Sequence, residues 1–341
     1  MNKKNINLEE KKLAEKEQKR AENKARALQK MEIVAKAIWM SIEQLTQWRK
    51  KMNIIYLDNN SEKENYTKDI LDTSISFENV IKNWVSRTII TVPDNYQDET
   101  PWYFCFQMDK KWVKQAVAPT WNIWKNSKIV IYAYCFWMEI DVTHWDWKVY
   151  NIWDNSSLEV YEFNFNTDDS YMKVNNAFKA YLWDNAYFKN HYESTLWNLG
   201  QWSTRWEVYC NWENSKTDFI TKNRILNKDV SKLNIKFYLN WKNSSWMMLS
   251  KSVTFAWWKN YFKWTIVWDW DNTSWHIDCS EVSMWKCEIE TLPCLKVLNS
   301  TSRLTHEAAV WTLEKKSIEN LMIKGFSEED AINFLVNGVL D

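Results

Sequence analysis

Glycine is almost missing from this chain: three residues in 341, where ordinary usage would give about 24. Tryptophan is in excess, 26 residues against about four or five. Net charge is also missing, because 44 basic and 44 acidic side chains cancel. That removes the long-range attraction that dominates binding to a polyanion, so no nucleic-acid partner is expected. There is no run of 18 apolar residues, so no membrane span is expected. The opening Met1-Asn-Lys-Lys-Asn-Ile runs into charge and not into an apolar stretch, so no signal peptide is expected and the chain reads as cytoplasmic. Six widely spaced cysteines then read as thiols, not as a disulfide framework. Glycine-dependent fingerprints (P-loop, Rossmann turn, nucleophile elbow) are absent, and no nucleophile–base pair can be argued from spacing.

Many tryptophans sit in strings that otherwise read as turns: Trp153-Asp-Asn, Trp183-Asp-Asn, Asn211-Trp212-Glu-Asn, Asn240-Trp241-Lys-Asn, and Trp268-Asp-Trp270-Asp-Asn. Turns of this kind call for positive φ, which glycine adopts freely and tryptophan does not. With glycine at these places the strings become ordinary turn signals. The expectation is that most of the tryptophans are glycine in the native product, from a gene whose UGA codons specify glycine. An Asn-, Lys- and Ile-rich composition fits an AT-rich genome of that kind. The competing explanation is a tryptophan-rich sugar-binding surface, which would not also remove glycine.

Residues 3–30 are charged or polar nearly throughout and read as a solvated helix. Met31 to Met52 carries Ile33, Val34, Ala37, Ile38, Ile42 and Leu45 at helical spacing, and Asp58 to Lys68 reads as a linker. Residues 1–100 are therefore expected to form a helical N-terminal region. From about 101 to 311 short β-branched and aromatic runs recur, among them Lys128–Tyr134, Leu158–Phe165, Leu233–Leu239 and Tyr261–Val267. Too few helical segments separate them for a βαβ fold, so a sandwich, barrel or solenoid is expected. No strict repeat length emerges. Residues 312–341 return to helix: Leu313–Lys324 ends at Gly325, and Ser327 caps the segment Glu328–Val336.

The densest set of metal-competent side chains is His276, Cys279, Cys287, Cys294, His306 and Glu307. Thiolates are soft ligands for iron–sulfur clusters and zinc, and histidine or carboxylate can complete such sites. The cysteine spacing matches no zinc motif, and scattered cysteines of this kind are more often inert core residues, the preferred reading of Cys294. His306 and Glu307 would face opposite sides of a strand, so only one of them shares a face with a given cysteine. Asp269-Trp-Asp271-Asn reads as a turn in preference to a calcium loop. His144, beside Asp146, and His191 are expected at the surface or in turns.

The string Cys279-Ser-Glu-Val-Ser-Met-Trp-Lys-Cys287, then Thr291-Leu-Pro, then His306-Glu-Ala, resembles the C-terminal core of the SufB/SufD family of iron–sulfur cluster assembly scaffolds. The tail Lys324-Gly-Phe-Ser-Glu-Glu-Asp-Ala331 is similar to that family's tail. Ser252-Val-Thr-Phe-Ala-Trp257-Trp258-Lys-Asn-Tyr-Phe-Lys-Trp264 fits the family pattern only with its tryptophans read as glycine. The resemblance spans residues 245–338 strongly, reaches back to about 125 and is not visible before 100. It implies a mainly β protein with a right-handed parallel β-helix (β-solenoid) core and helical ends. It further implies a scaffold that is not itself an enzyme, a homodimer or a dimer with a SufB/SufD-type partner, and docking of a SufC-type ATPase on the C-terminal helices. Carried over by motif, Cys279 and Glu307 would hold the transient iron–sulfur cluster at the dimer interface, with His306 contributing and Cys287 secondary. A sulfur-donor protein would be a further partner, yet Leu158–Phe165, where an interior sulfur-receiving cysteine is expected, has none. The alternative from another class is a secreted β-solenoid that binds or cleaves polysaccharide through exposed aromatics.

Overall fold

A computed structural model describes residues 53–58, 65–69, 74–82, 85–97, 101–108, 114–137, 142–166, 172–194, 200–226, 229–255, 259–268 and 270–340. The helices expected within 3–52 and the motif positions Trp257 and Trp258 lie outside these residues. The first strands are β1 (Asn53–Asp58), β2 (Asn65–Asp69), β3 (Ser76–Lys82) and β4 (Val85–Val92). They correct the expectation of a helical region up to residue 100 and of a linker over the whole of 58–68. The β-branched run Thr88-Ile-Ile-Thr-Val92 is strand chemistry that the mixed composition around it obscured.

Next come β5 (Trp102–Met108), β6 (Lys114–Val117), β7 (Thr120–Ile123), β8 (Lys128–Trp137), β9 (Val142–Ile152) and β10 (Ser157–Asn166). They are followed by β11 (Met172–Leu182), β12 (Tyr187–Ser194), β13 (Gln201–Cys210), β14 (Lys216–Ile225) and β15 (Val230–Leu239). The last strands are β16 (Ser245–Thr254), β17 (Lys259–Trp268), β18 (Ser274–Ser283), β19 (Glu288–Val297) and β20 (Arg303–Thr312). Helices α1 (Lys315–Ile323) and α2 (Glu328–Leu340) close the described chain.

The strands form a β-solenoid of about seven turns. One sheet runs β2-β1-β5-β8-β10-β12-β14-β16-β18-β20, and the other β19-β17-β15-β13-β11-β9-β6-β4-β3, with β7 beside β4 and β9. Pairing is parallel except in β1–β2 and β3–β4, so each coil stacks on the one before it. Apolar and polar side chains alternate with period two, sending Leu158 and Val160 inward and Glu159 and Tyr161 outward. The interior is aromatic and aliphatic, with Phe178, Phe188, Trp206, Phe219 and Phe237 in mutual ring contact.

A repeat does exist, carried by one corner of each coil. Asn126, Asn155, Asn185, Asn214, Asn243 and Asn272 all have φ between 55° and 59°, at intervals of 29 or 30 residues. Asparagine tolerates this left-handed conformation because its short amide can bond locally. The amides form a ladder: Asn126 donates to Asn95, Asn155 to Asn126, Asn185 to Asn155 and Asn214 to Asn185, at 3.0–3.1 Å. Positive φ at these turns thus falls on asparagine, not on the tryptophan two residues earlier as the turn strings suggested. Trp124, Trp153, Trp183 and Trp212 stack face to face along the corner instead, with centroids 4.3–4.9 Å apart. Among the described tryptophans only Trp285 is left-handed, at φ 62° and largely exposed. Inside the solenoid, the buried indole nitrogens of Trp102, Trp202, Trp246 and Trp264 have no hydrogen-bond partner, an unusual state for buried tryptophan.

The helices pack on outward-facing Val253 and Val282, together with Met284, through Ile318, Ala331, Val336 and Leu340. Arg224 Nη2 donates to Asn333 Oδ1 at 2.7 Å and ties α2 to β14. Ser327 caps α2 by accepting from the Asp330 amide at 3.1 Å, as the sequence predicted.

Gly200, one of the three glycines, sits at φ +73°, and a Cβ there would lie 2.6 Å from the Met172 nitrogen and against its carbonyl. Gly200→Ala is expected to lower unfolding free energy by about 3 kcal/mol in denaturant titration. Trp285→Gly is expected to raise it by about 1 kcal/mol, by relieving a bulky residue in the left-handed region.

Candidate iron–sulfur cluster site

Cys279 lies in β18, and strand alternation turns it inward, leaving it 1% exposed. Its register neighbours are Ser250 on β16 and Ala308 on β20. Burial, reinforced by Glu281 and Asp278, pushes the thiol well above its ordinary pKa. Thiolate formation there therefore needs a compensating cation, such as a metal. Two residues on, Glu281 is also buried and faces inward. Its carboxyl is pushed up to about 7 by burial, against the opposing effect of hydrogen bonds from Ser252 and Asn260. Ser252 Oγ donates to Glu281, and Asn260 Nδ2 lies 2.9 Å from both Glu281 Oε2 and Ser252 Oγ. Sequence reasoning passed over Glu281, although the i, i+2 spacing from Cys279 on a strand was the signal for a shared face.

His306 is in register with Ile277, so it shares the inward side with Cys279, two positions along from Ala308. Its ring meets the edge of Trp264 at 5.1 Å between centroids. Partial burial, then the neighbouring His276, lowers its pKa. Glu307 is in register with Asp278 and faces outward. The structure thus brings Cys279 and His306 to one face and puts Glu307 on the other. Cys287 lies half-buried in the connection from β18 to β19, its pKa raised by burial. Cys294, expected as a core thiol, is on the outward row of β19 beside Thr265 and is only half-buried. Its strand is the last of its sheet among the described residues. Among the described residues no three His, Cys, Asp or Glu side chains lie close enough to hold a metal ion.

What surrounds the pair is an unfinished core. β19 and β20 are the terminal strands of the two sheets. Leu295 and Val310 continue inward rows that are fully buried one coil earlier at Ile266 and Glu281, yet they are 48% and 63% exposed. Among the described residues nothing is stacked on this last coil, and a solenoid end of this kind needs a cap or a partner.

A second polar group lies deep in the solenoid and corrects the surface reading of His144 and Asp146. Both are buried on the inward row of β9. Lys148 Nζ pairs with Asp146 at 2.7 Å and with Glu162 at 2.8 Å, and Asn176 donates to Glu162 at 3.1 Å. Burial, then the Lys148 charge, holds His144 down at about 3, so it is neutral at physiological pH. His191 lies on β12, in a strand and not a turn, with its ring near Tyr161.

Glu281 provides a pH test. A carboxyl raised to about 7 binds its proton more tightly in the folded chain than in the unfolded one. Between about pH 4.5 and 7 the folded state therefore holds more protons, and stability falls as pH rises. Glu281→Gln is expected to flatten that fall, by up to about 1 kcal/mol per pH unit, in denaturant midpoints measured from pH 5 to pH 8.

No family model matches the chain. Over 270 residues it is 24% identical to an iron–sulfur cluster assembly SufBD family protein of Methanocaldococcus jannaschii, covering 79% of this chain and 85% of that one. A 65-residue stretch, 19% of this chain and 20% of the relative, is 32% identical to a SufBD family protein of Pyrococcus horikoshii. The solenoid, its helical tail and this likeness along most of the chain agree with the resemblance to the SufBD family read from the sequence.

Proposed function

We propose that this chain is a scaffold subunit on which a nascent iron–sulfur cluster is assembled and from which it is passed on. The observation that carries this reading is the position of Cys279 and His306 on the inward side at the uncovered end of the solenoid. Among the described residues one chain supplies a thiol and an imidazole but no closed ligand set, which is what a site shared between two chains would present. A second copy or a SufB/SufD-type partner stacked on β19 and β20 would bury Leu295, Val297 and Val310 and bring in the remaining ligands. Glu307 would ligate from the outward side of β20 only if that edge is itself wrapped by the partner. An incomplete mixture of soft and hard ligands would hold a cluster loosely enough for release.

The C-terminal helices are the docking surface for a SufC-type ATPase in this reading. They leave Ile323, Phe326 and Phe334 exposed at 83%, 39% and 59%, with the two phenylalanine rings 5.8 Å apart. Their buried faces already hold them on β16 and β18, so these rings are available to a partner. Turnover would belong to the ATPase, and the compartment is the cytosol, where thiols stay reduced. Sulfur would arrive from a donor protein. The strand β10 has no cysteine for it, but the adjacent strand β8 carries the buried Cys135, in register with Asn164. The polysaccharide alternative has no support from either relative.

Anaerobic reconstitution with iron, sulfide and a SufC-type ATPase tests the site. Cys279→Ala is expected to lose most of the bound iron and the thiolate-to-iron absorbance, and Glu307→Ala a smaller part. Unchanged iron and acid-labile sulfide in both variants would overturn the assignment.

A further inference from the structure

The two outer faces of the solenoid differ in charge. On β11, β13, β15 and β17, period-two alternation places twenty side chains outward. Seven of them are basic: Lys173, Lys179, Arg205, Lys232, Lys236, Lys259 and Lys263. One is acidic, Glu207, which pairs with Lys179 at 3.4 Å. The opposite outer face, over β10, β12, β14 and β16, carries five basic and three acidic residues among its described outward side chains. A chain of zero net charge has thus gathered a surplus of six positive charges on four adjacent strands, reduced to five by Glu288, Glu290 and Lys296 on the outward side of β19, where Glu288 pairs with Lys259 at 2.7 Å. The parallel register puts these groups in rows about 4.8 Å apart, on strands where no apolar side chain larger than valine faces outward.

We infer that this face docks a small protein with an acidic surface. Three features select that occupant among anionic ones. Tyr181, Tyr209 and Tyr238 stack on each other at 5.0 and 4.7 Å, and the Tyr261 ring lies under Lys232 Nζ with its hydroxyl bonded to Glu288, so these rings offer few free faces to nucleic-acid bases. No exposed bulky apolar residue on these strands could enter a bilayer, which leaves a membrane only the charge attraction. The chain's own residues 1–30 carry ten basic and five acidic side chains and would be repelled. Four strands of ten residues span roughly 15 by 30 Å, about half of a standard interface per partner. Contacts of that size and charge form and dissociate quickly, which suits a visiting protein and not a permanent subunit. The inference does not depend on the cluster-assembly reading.

The full-length chain is titrated into fluorescent poly-L-glutamate, with single-stranded DNA and anionic lipid vesicles as parallel probes. Binding to polyglutamate is expected to weaken about tenfold or more in R205E/K236E/K263E, and about tenfold between roughly 0.05 and 0.3 M salt. K216E/K222E/K251E on the opposite face is expected to change it little. Should the glutamate triple variant fail to fold by circular dichroism, R205Q/K236Q/K263Q takes its place, with a smaller loss in the same direction. Equal loss from the two faces, or no binding of polyglutamate at low salt, overturns the inference. Tighter binding of DNA or of vesicles than of polyglutamate at equal charge also overturns it, in favour of that partner.

Discussion

Each coil of this protein is registered on the one before by parallel backbone pairing, and nearly every other property depends on that register. It stacks identical positions at a spacing of about 4.8 Å, so a residue suited to one corner suits all of them. The asparagine ladder follows: one left-handed corner per coil, each amide bonded to the amide beneath. The same stacking ranks side chains into rows, inward or outward, and a row is either buried along its whole length or uncovered only where the solenoid stops.

The place where it stops is the place of interest. A globular core closes on itself, whereas a solenoid has ends, and at this end the inward rows meet solvent at Leu295, Val297 and Val310. Cys279 is one coil inside that boundary, protected and hard to ionise, and His306 is on the boundary itself. A group buried by its own chain yet within one coil of an uncovered end would be reachable by ligands from a chain docked there. Burial raises the cost of the free thiolate, and a bound metal would remove that cost. Beside it, Glu281 holds a proton near neutrality in contact with Ser252 and Asn260, so the interior near the thiol is polar and not oily.

Much of this was legible in the residues. The strand runs and the helices after Thr312 are present in the structure, and Cys279 and His306 fall on the adjacent strands β18 and β20. The period of 29 or 30 was hidden because its marker, asparagine in a Trp-x-Asn-Ser corner, was overshadowed by the tryptophan before it. The early strands were hidden because hairpins such as β3–β4 lie between polar stretches that look like linker. His144 and Asp146 were misplaced because a polar pair is normally solvated, and local sequence does not show that Lys148 and Glu162 will enclose it.

Composition and spacing by themselves determined the class: short strands with turns between them, a helical tail, and a thiol, an imidazole and a carboxylate within thirty residues. They also determined, through period two, that His306 and Glu307 face opposite ways. Only the tertiary structure decided which way is inward, because that depends on which face of β20 continues the row of Ile277 and Cys279. It alone decided that lysines separated by about thirty residues share one outer face. Side chains in adjacent coils are neighbours through inter-strand hydrogen bonds, and that proximity is not visible along the chain.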